Sequence, residues 1–295
     1  MNKILFTIYR IIVPKPLRAI IRKKNLRVKI LKYFNSLPGE EVNDEQREVL
    51  KYLKTNALST FTYPFQDLYS PENIEVLFDN ENRMRYVFLD GKKLYFKKRW
   101  SEKRIRKGFS DLLREQDMNS PHRYLTDRFN VNNNDVVADI GAAEGNFSLS
   151  VIETVRKVFI FEYDREWVEA LRATFAPWPE KVEIIDKHVA DFDDKKHLSF
   201  DTFYKSRPEI NFLKIDVDGA EEKVMRSCQG ILSSGRPVKI ALCTYHRNND
   251  EKDFSALLQN WDFKVSCSKG YMIHYFDKQM KAPYLRRGLI RAVRH

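Results

Sequence analysis

Cysteine is scarce: Cys228, Cys243 and Cys267 are the only three among 295 residues. Odd in number, widely spaced and set in or beside apolar runs, they imply no disulfide framework and fit reduced core thiols. No Cys/His pair has the spacing of a zinc site. A membrane span is missing too. The stretch from Ile4 to Val13 is interrupted by Arg10, is too short to cross a bilayer and is followed by no small-residue cleavage site, so neither a span nor a signal peptide is expected.

Acidic residues are absent from both ends. Residues 1–39 carry ten Lys/Arg and no Asp/Glu, residues 278–295 carry six and none, and residues 40–277 hold 36 basic against 41 acidic residues. The body is therefore mildly acidic although the whole chain has a net charge of +11. A groove for nucleic acid needs a basic surface, so no nucleic-acid partner is expected. With 43% hydrophobic residues the chain is long and apolar enough to bury a core.

The informative stretch runs from Val136 to Ser148, Val-Val-Ala-Asp-Ile-Gly-Ala-Ala-Glu-Gly-Asn-Phe-Ser. A short β-branched run ends in an acid, passes two glycines and enters an amphipathic stretch, which reads as strand, tight turn and helix. Gly141 and Gly145 would let the backbone come close to a nucleotide-like ligand. They do not spell G-x-G-x-x-G, so a dinucleotide is not implied. Lys157 to Glu162 reads as a second buried strand ending in a carboxylate, 23 residues after Asp139, where an acid can accept from both ribose hydroxyls. Asp191, after a third strand, either accepts from an adenine amino group or caps a helix in an Asp-rich loop.

A third stretch reads Asn211-Phe-Leu-Lys-Ile-Asp216-Val-Asp218-Gly-Ala-Glu221. With Asp139-Ile140-Gly141 and Phe161-Glu162, it resembles the FkbM-type family of S-adenosylmethionine-dependent methyltransferases over roughly Pro121 to Phe276. Asp218 departs from the family pattern, which usually carries Glu there. The resemblance implies S-adenosylmethionine as cofactor, held by Asp139, Gly141, Ala143, Glu144, Gly145, Asn146, Glu162 and Asp191. It also implies O-methylation of a hydroxyl, often on a sugar or a polyketide-derived acceptor. A surface-polysaccharide precursor is the expected class of acceptor. The lack of an Asn/Asp-Pro-Pro-aromatic run and of a Pro-Cys nucleophile disfavours methylation of a flipped base.

Asp216, closing an apolar strand, and His246, after the fifth strand, are the candidate bases. Burial is expected to raise Asp216 toward a useful range, and it could equally bind a hard divalent cation, although no metal is assigned. Asp218 and Glu221 either support the site or simply start a helix. Arg123 either meets the methionine carboxylate or forms a surface salt bridge. His122, His188, His197, His274 and His295 show no constellation.

The rest of the chain divides into a basic amphipathic segment (1–39), an α+β extension (40–119), a methyltransferase domain (120–277) and a basic tail (278–295). The Asp90-Gly91 pair predicts a hairpin between alternating runs at 83–89 and 92–97, helices are expected over 44–58 and 101–116, and Ser120-Pro121 predicts another helix start. From Val136, β and α segments alternate, which predicts a seven-stranded, mostly parallel Rossmann-like sheet. Residues 263–267 and 271–276 are expected to close it as an antiparallel hairpin. A dinucleotide-binding sheet would instead be parallel throughout, so a nicotinamide-dependent oxidoreductase is the weaker alternative. The other is a non-catalytic scaffold. The expected location is cytoplasmic, with residues 1–35 lying on an anionic inner membrane surface or packing on the protein itself.

Overall fold

The computed structural model describes residues 14–277 and 280–295. The stretch from Ile4 to Val13, and the rest of the expected membrane-contact segment before residue 14, lie outside the described residues. The chain continues through two helices, α1 (Lys15–Asn35) and α2 (Asp44–Thr55). α2 starts at a capping box in which Asn43 and Gln46 each accept the other's backbone N–H. A three-stranded antiparallel sheet follows, β1 (Leu77–Asp79), β2 (Met84–Leu89) and β3 (Lys92–Tyr95), with Asp90 and Gly91 turning between its last two strands. α3 (Glu102–Glu115), capped by the Ser101 side chain, leads towards the body.

That body alternates as its sequence predicts: β4 (Val136–Ile140), α4 (Asn146–Val151), β5 (Lys157–Phe161), α5 (Arg165–Phe175) and β6 (Val182–Ile185). A short parallel pair follows, β7 (His188–Ala190) and β8 (His197–Ser199), then α6 (Phe200–Lys205) and β9 (Phe212–Ile215). Next come α7 (Glu221–Arg226), α8 (Gln229–Ser233), β10 (Val238–Cys243), α9 (Asp250–Gln259), β11 (Lys264–Cys267) and β12 (Leu289–Arg294). The main sheet has seven strands in the order β11-β12-β10-β9-β4-β5-β6. β6, β5, β4, β9 and β10 are parallel, and β12 runs antiparallel to both of its neighbours. β4, β9 and β10 are buried on both faces, which is why they read as continuous apolar runs. The strand order reverses between β4 and β9, and ligands of such sheets gather there, at the carboxyl ends.

Two hydrophobic clusters cover the two faces of this sheet. A third joins Ile30 and Phe34 of α1 and Val49 and Leu53 of α2 to Tyr271, Met272, Ile273 and Leu285. The extension is thus packed into the body through apolar side chains.

Two expectations change. The closing strand is β12, in the segment expected as a tail, not residues 271–276. The alternation at 271–276 reflects packing against the N-terminal helices, and Met272 makes only isolated bridges, to Phe61 and Arg286. The arginines of the last segment are structural. Arg294 donates to the carbonyls of Ile231 (3.0 Å) and Arg236 (2.9 Å), Arg291 donates to that of Tyr124 (3.0 Å), and Arg286 pairs with Asp277 (2.6 Å). The helix expected from Pro121 does not form either. Residues 117–124 are a run of turns laid over the end of the sheet.

Candidate active site

The Val136–Ser148 stretch is held by a buried ion pair. Asp139 is wholly buried; its Oδ1 lies 3.0 Å from Lys214 Nζ and its Oδ2 accepts from Ser148 Oγ at 2.6 Å. Lys214 Nζ also donates to the Gly141 carbonyl at 2.7 Å, tying β9 to the turn after β4. Burial would push the Lys214 ammonium down, but the charges of Asp139 and Asp216 outweigh it and hold it charged. Gly141 has φ +78°, and a Cβ there would fall 2.0 Å from the Asp216 carbonyl oxygen. At Gly145, φ +82°, a Cβ would meet Leu171 Cδ2 at 2.6 Å. The glycines therefore serve the approach of chain to chain, and Gly145 and Asp139 build the turn without lining the cleft.

The cleft itself, about 480 Å³, is lined on this side by Gly141, Ala143, Glu144 and Asn146, with Glu162, His188, Glu115, Tyr124, Lys214 and Asp216 around it. Glu162 accepts three backbone N–H groups, from Ala143 (2.9 Å), Tyr163 (2.8 Å) and Asp164 (2.7 Å). Burial raises its carboxyl, and these amides draw it part of the way back. Burial acts on Glu144 and Glu115 with less opposition, pushing them up to about 8 and about 7. Two carboxyl groups poised near neutrality in one cleft suit a ligand that carries positive charge, because its arrival favours their ionised form. Asp191 is not in the cleft. Its carboxylate faces Arg226 Nε at 3.0 Å, and His188 and Val189 take the lining position instead, His188 stacked on Tyr163 with ring centroids 3.8 Å apart. Arg123 also points elsewhere, donating to the Leu125 carbonyl at 2.8 Å.

At the far end Asp216 is surrounded by donors. Tyr124 Oη donates to its Oδ2 at 2.9 Å, His122 Nε2 lies 3.4 Å from the same oxygen, and Tyr245 Oη donates to Oδ1 at 3.4 Å. Burial would push the Asp216 carboxyl up, but His122, Lys214 and His246 together hold it well below the usual carboxylate range. The expectation that burial makes Asp216 a near-neutral base is therefore corrected. His246 sits among carboxylates, with Nδ1 2.9 Å from Glu221 Oε1 and Nε2 3.5 Å from Asp218 Oδ1 and 3.9 Å from Asp216 Oδ1. Burial would lower its imidazole, yet Asp218, Glu221 and Asp216 raise it to about 10. Glu221, 1% exposed, also accepts the backbone N–H of Val217 (3.0 Å) and Gly219 (3.3 Å), so it shapes the loop after β9 as well as starting α7.

Residues 127–271 match the methyltransferase FkbM domain. That span is an FkbM-type methyltransferase domain. The chain is also similar to the ribosomal RNA small subunit methyltransferase A of Mycoplasma mycoides subsp. mycoides SC, 24% identical over 176 residues, and spans 63% of that relative with 55% of its own length. A solved methyltransferase FkbM from Methylobacillus flagellatus KT superposes with a TM-score of 0.43 at 15% identity, over 63% of this chain and 54% of the other. The precorrin-6y C5,15-methyltransferase of Geobacter metallireducens GS-15 gives 0.39 at 14% identity, over 56% and 83%.

In the FkbM domain, then, Gly141, Ala143, Glu144, Asn146, Glu162, Asp216 and Asp218 come together at one cleft, and His246 and Glu221 stand directly behind Asp218. Three contributors, Glu115, His122 and Tyr124, come from outside the matched span. The reading that His122 and His274 belong to no constellation is corrected: His122 faces Asp216, and the His274 ring packs edge-on to His246 at 5.2 Å. Lys214 was inside the quoted motif without a role. A charged residue in a strand otherwise apolar on both faces was the available signal.

Proposed function

We propose that the protein is an S-adenosylmethionine-dependent O-methyltransferase acting on a hydroxyl of a sugar or glycan. The observation that carries this reading is the adjacency of two unlike spaces across Asp216 and Asp218. One is the cleft described above. The other is an open polar hollow of about 570 Å³ lined by Asp218, His246, Asn248, His274, Arg286 and neighbours, with Phe276 exposed beside His274. Convergent hydrogen-bonding groups beside an exposed ring suit a hydroxyl-rich acceptor.

Bound S-adenosylmethionine supplies an electrophilic methyl group on a cationic sulfonium. The donor set fits it: Glu162 stands at the carboxyl end of β5 for the ribose hydroxyls, Val189 and the Tyr163–His188 stack flank a flat base, and Glu144 and Glu115 meet positive charge. Positioning supplies much of the acceleration of such a displacement. Asp216, its carboxylate favoured by His122, Lys214 and His246, can accept a hydrogen bond from the acceptor hydroxyl and orient it.

A scaffold role is the second reading. It is favoured by α1, whose outer face exposes Leu17, Ile20 and Val28 among lysines and arginines, a pattern suited to an anionic membrane surface. Among the described residues no helix is long and apolar enough to cross a membrane. The test is methyl-labelled S-adenosylmethionine with a panel of free and nucleotide-linked sugars. Label in a methyl ether, lost in Asp216→Asn, supports the enzyme. No transfer to any sugar, or transfer to RNA, overturns the sugar reading.

A further inference from the structure

The run from Ser120 to Tyr124 presents two sides. His122 and Tyr124 face Asp216, whereas Arg123 lines a separate cavity of about 390 Å³ between α2 and the body, which shares no lining residue with the cleft. Arg123, Lys269 and Arg291 are its cations. None of them forms an ion pair among the described residues, although Lys214 meets Asp139, Arg286 meets Asp277 and Arg287 meets Glu45. Arg123 uses Nε alone, on the Leu125 carbonyl. Arg291, half-buried, donates to the carbonyls of Arg123 and Tyr124 and leaves its Nη1 unused. Burial and the Arg123 charge both lower the Arg291 guanidinium, and no carboxylate draws it back. Like charges held so close are unfavourable unless an anion joins them. Two buried serines that line the cavity ask for the same partner: Ser120 is 6% exposed and Ser268 is 2% exposed. Ser120 Oγ accepts the His122 N–H at 3.2 Å and Ser268 Oγ the Leu289 N–H at 3.1 Å, but neither hydroxyl donates to a protein group among the described residues.

We propose that this cavity binds a phosphate group, its oxygens taken by the guanidiniums of Arg123 and Arg291, the Lys269 ammonium and the hydroxyls of Ser120 and Ser268. A guanidinium fork matches phosphate oxygens two at a time, and a phosphate has oxygens enough for several such donors. Two carboxylates also line the cavity. Glu45 is already held by Arg287, and Glu48 is exposed on α2, where solvent screens its charge. Tyr63, stacked on Phe65, and the exposed Met118 supply an apolar wall, so the ligand is a small phosphate or diphosphate ester whose organic part lies against them. The cleft, with Glu115, Glu144, Glu162 and Asp216, is unsuited to an anion. The two spaces thus divide their ligands by charge.

The inference goes beyond the methyltransferase reading and does not rest on it. The test is calorimetric titration of the full chain with inorganic phosphate and with inorganic pyrophosphate, with and without S-adenosylhomocysteine. One equivalent of at least one of the two anions should bind, with an affinity indifferent to S-adenosylhomocysteine. Preference for pyrophosphate identifies a diphosphate ester, and preference for phosphate a monoester. Arg123→Ala should weaken the binding at least about tenfold, the loss of a charged hydrogen-bond partner. Lys269→Glu, which sets a carboxylate against the anion, should weaken it about tenfold. The Lys269 side chain is exposed and makes no hydrogen bond among the described residues, so Lys269→Glu remains folded and decisive even if Arg123→Ala does not fold. No binding of either anion by the intact protein, binding indifferent to both substitutions, or binding lost when S-adenosylhomocysteine is present overturns the proposal. An anion bound by a protein that does not bind S-adenosylhomocysteine would keep this site and sink the cofactor reading, whereas the reverse would sink this site alone.

Discussion

At the carboxyl ends of β4 and β5 the polar groups are tied to the chain itself. Asp139 is held by Lys214 and Ser148, and Glu162 by three backbone amides. Beyond β9 and β10 the pattern is different: Asp218 hangs exposed, the His246 ring faces the carboxylates of Glu221, Asp218 and Asp216 rather than backbone amides, and the hollow beyond is open. One side is pre-organised by internal bonds that cost nothing further when a ligand arrives. The other leaves its hydrogen-bonding capacity to something from outside. Such a contrast fits a site in which one ligand is the same at every turnover and recognition of the second lies in open polar groups.

The largest expected effect breaks the tied side. Lys214→Met leaves Asp139 charged and buried, which should destabilise the fold by about 3–5 kcal/mol in denaturant unfolding. Lys214→Met combined with Asp139→Asn should recover part of that loss, because the lone charge is gone. An unchanged unfolding midpoint in the single variant would mean that the pair does not hold the turn.

Acid–base behaviour sharpens the comparison next. Glu144 is raised to about 8 and Glu115 to about 7, so the folded protein binds more protons than the unfolded chain between about pH 4.5 and 8. Their contribution to stability is complete below the ordinary carboxylate range and is lost as pH rises through these folded values. Glu144→Gln should flatten that fall in melting temperature between pH 5 and 8, as scanning calorimetry would read. A curve parallel to that of the unaltered protein would remove Glu144 from the account.

The smallest effect lies outside the cleft, on α1, whose inner face buries Ile30 and Phe34 while Leu17, Ile20 and Val28 stand exposed. Ile20→Glu should change stability by no more than about 0.5 kcal/mol and should lower co-flotation with anionic vesicles. Equal flotation of the two proteins would count against a membrane role for this face.

The tied side was legible in the sequence because its signals are local. Strand, turn and carboxylate follow one another within the Val136–Glu162 stretch, and each residue's job is set by near neighbours in the chain. Asp191 was misplaced because β7 and β8, a short pair, turn it towards Arg226. The open side depends on distant segments: Tyr124 reaches Asp216 across 92 residues, and no periodicity announces that. β12 was hidden by its arginines. Leu289, Ile290 and Ala292 are fully buried, but the charges between them reach carbonyls of neighbouring segments instead of solvent. Conversely, the alternation at 271–276 looked like a strand because burial against α1 and α2 demands the same apolar pattern.

The most direct test is calorimetric titration of the purified protein with S-adenosylmethionine and S-adenosylhomocysteine, repeated on Glu162→Ala. The account predicts that both ligands bind and that the substitution weakens them by about 1–3 kcal/mol, the loss of a charged hydrogen-bond partner. Absence of binding by the intact protein, or affinity untouched by Glu162→Ala, would contradict the assignment of this cleft.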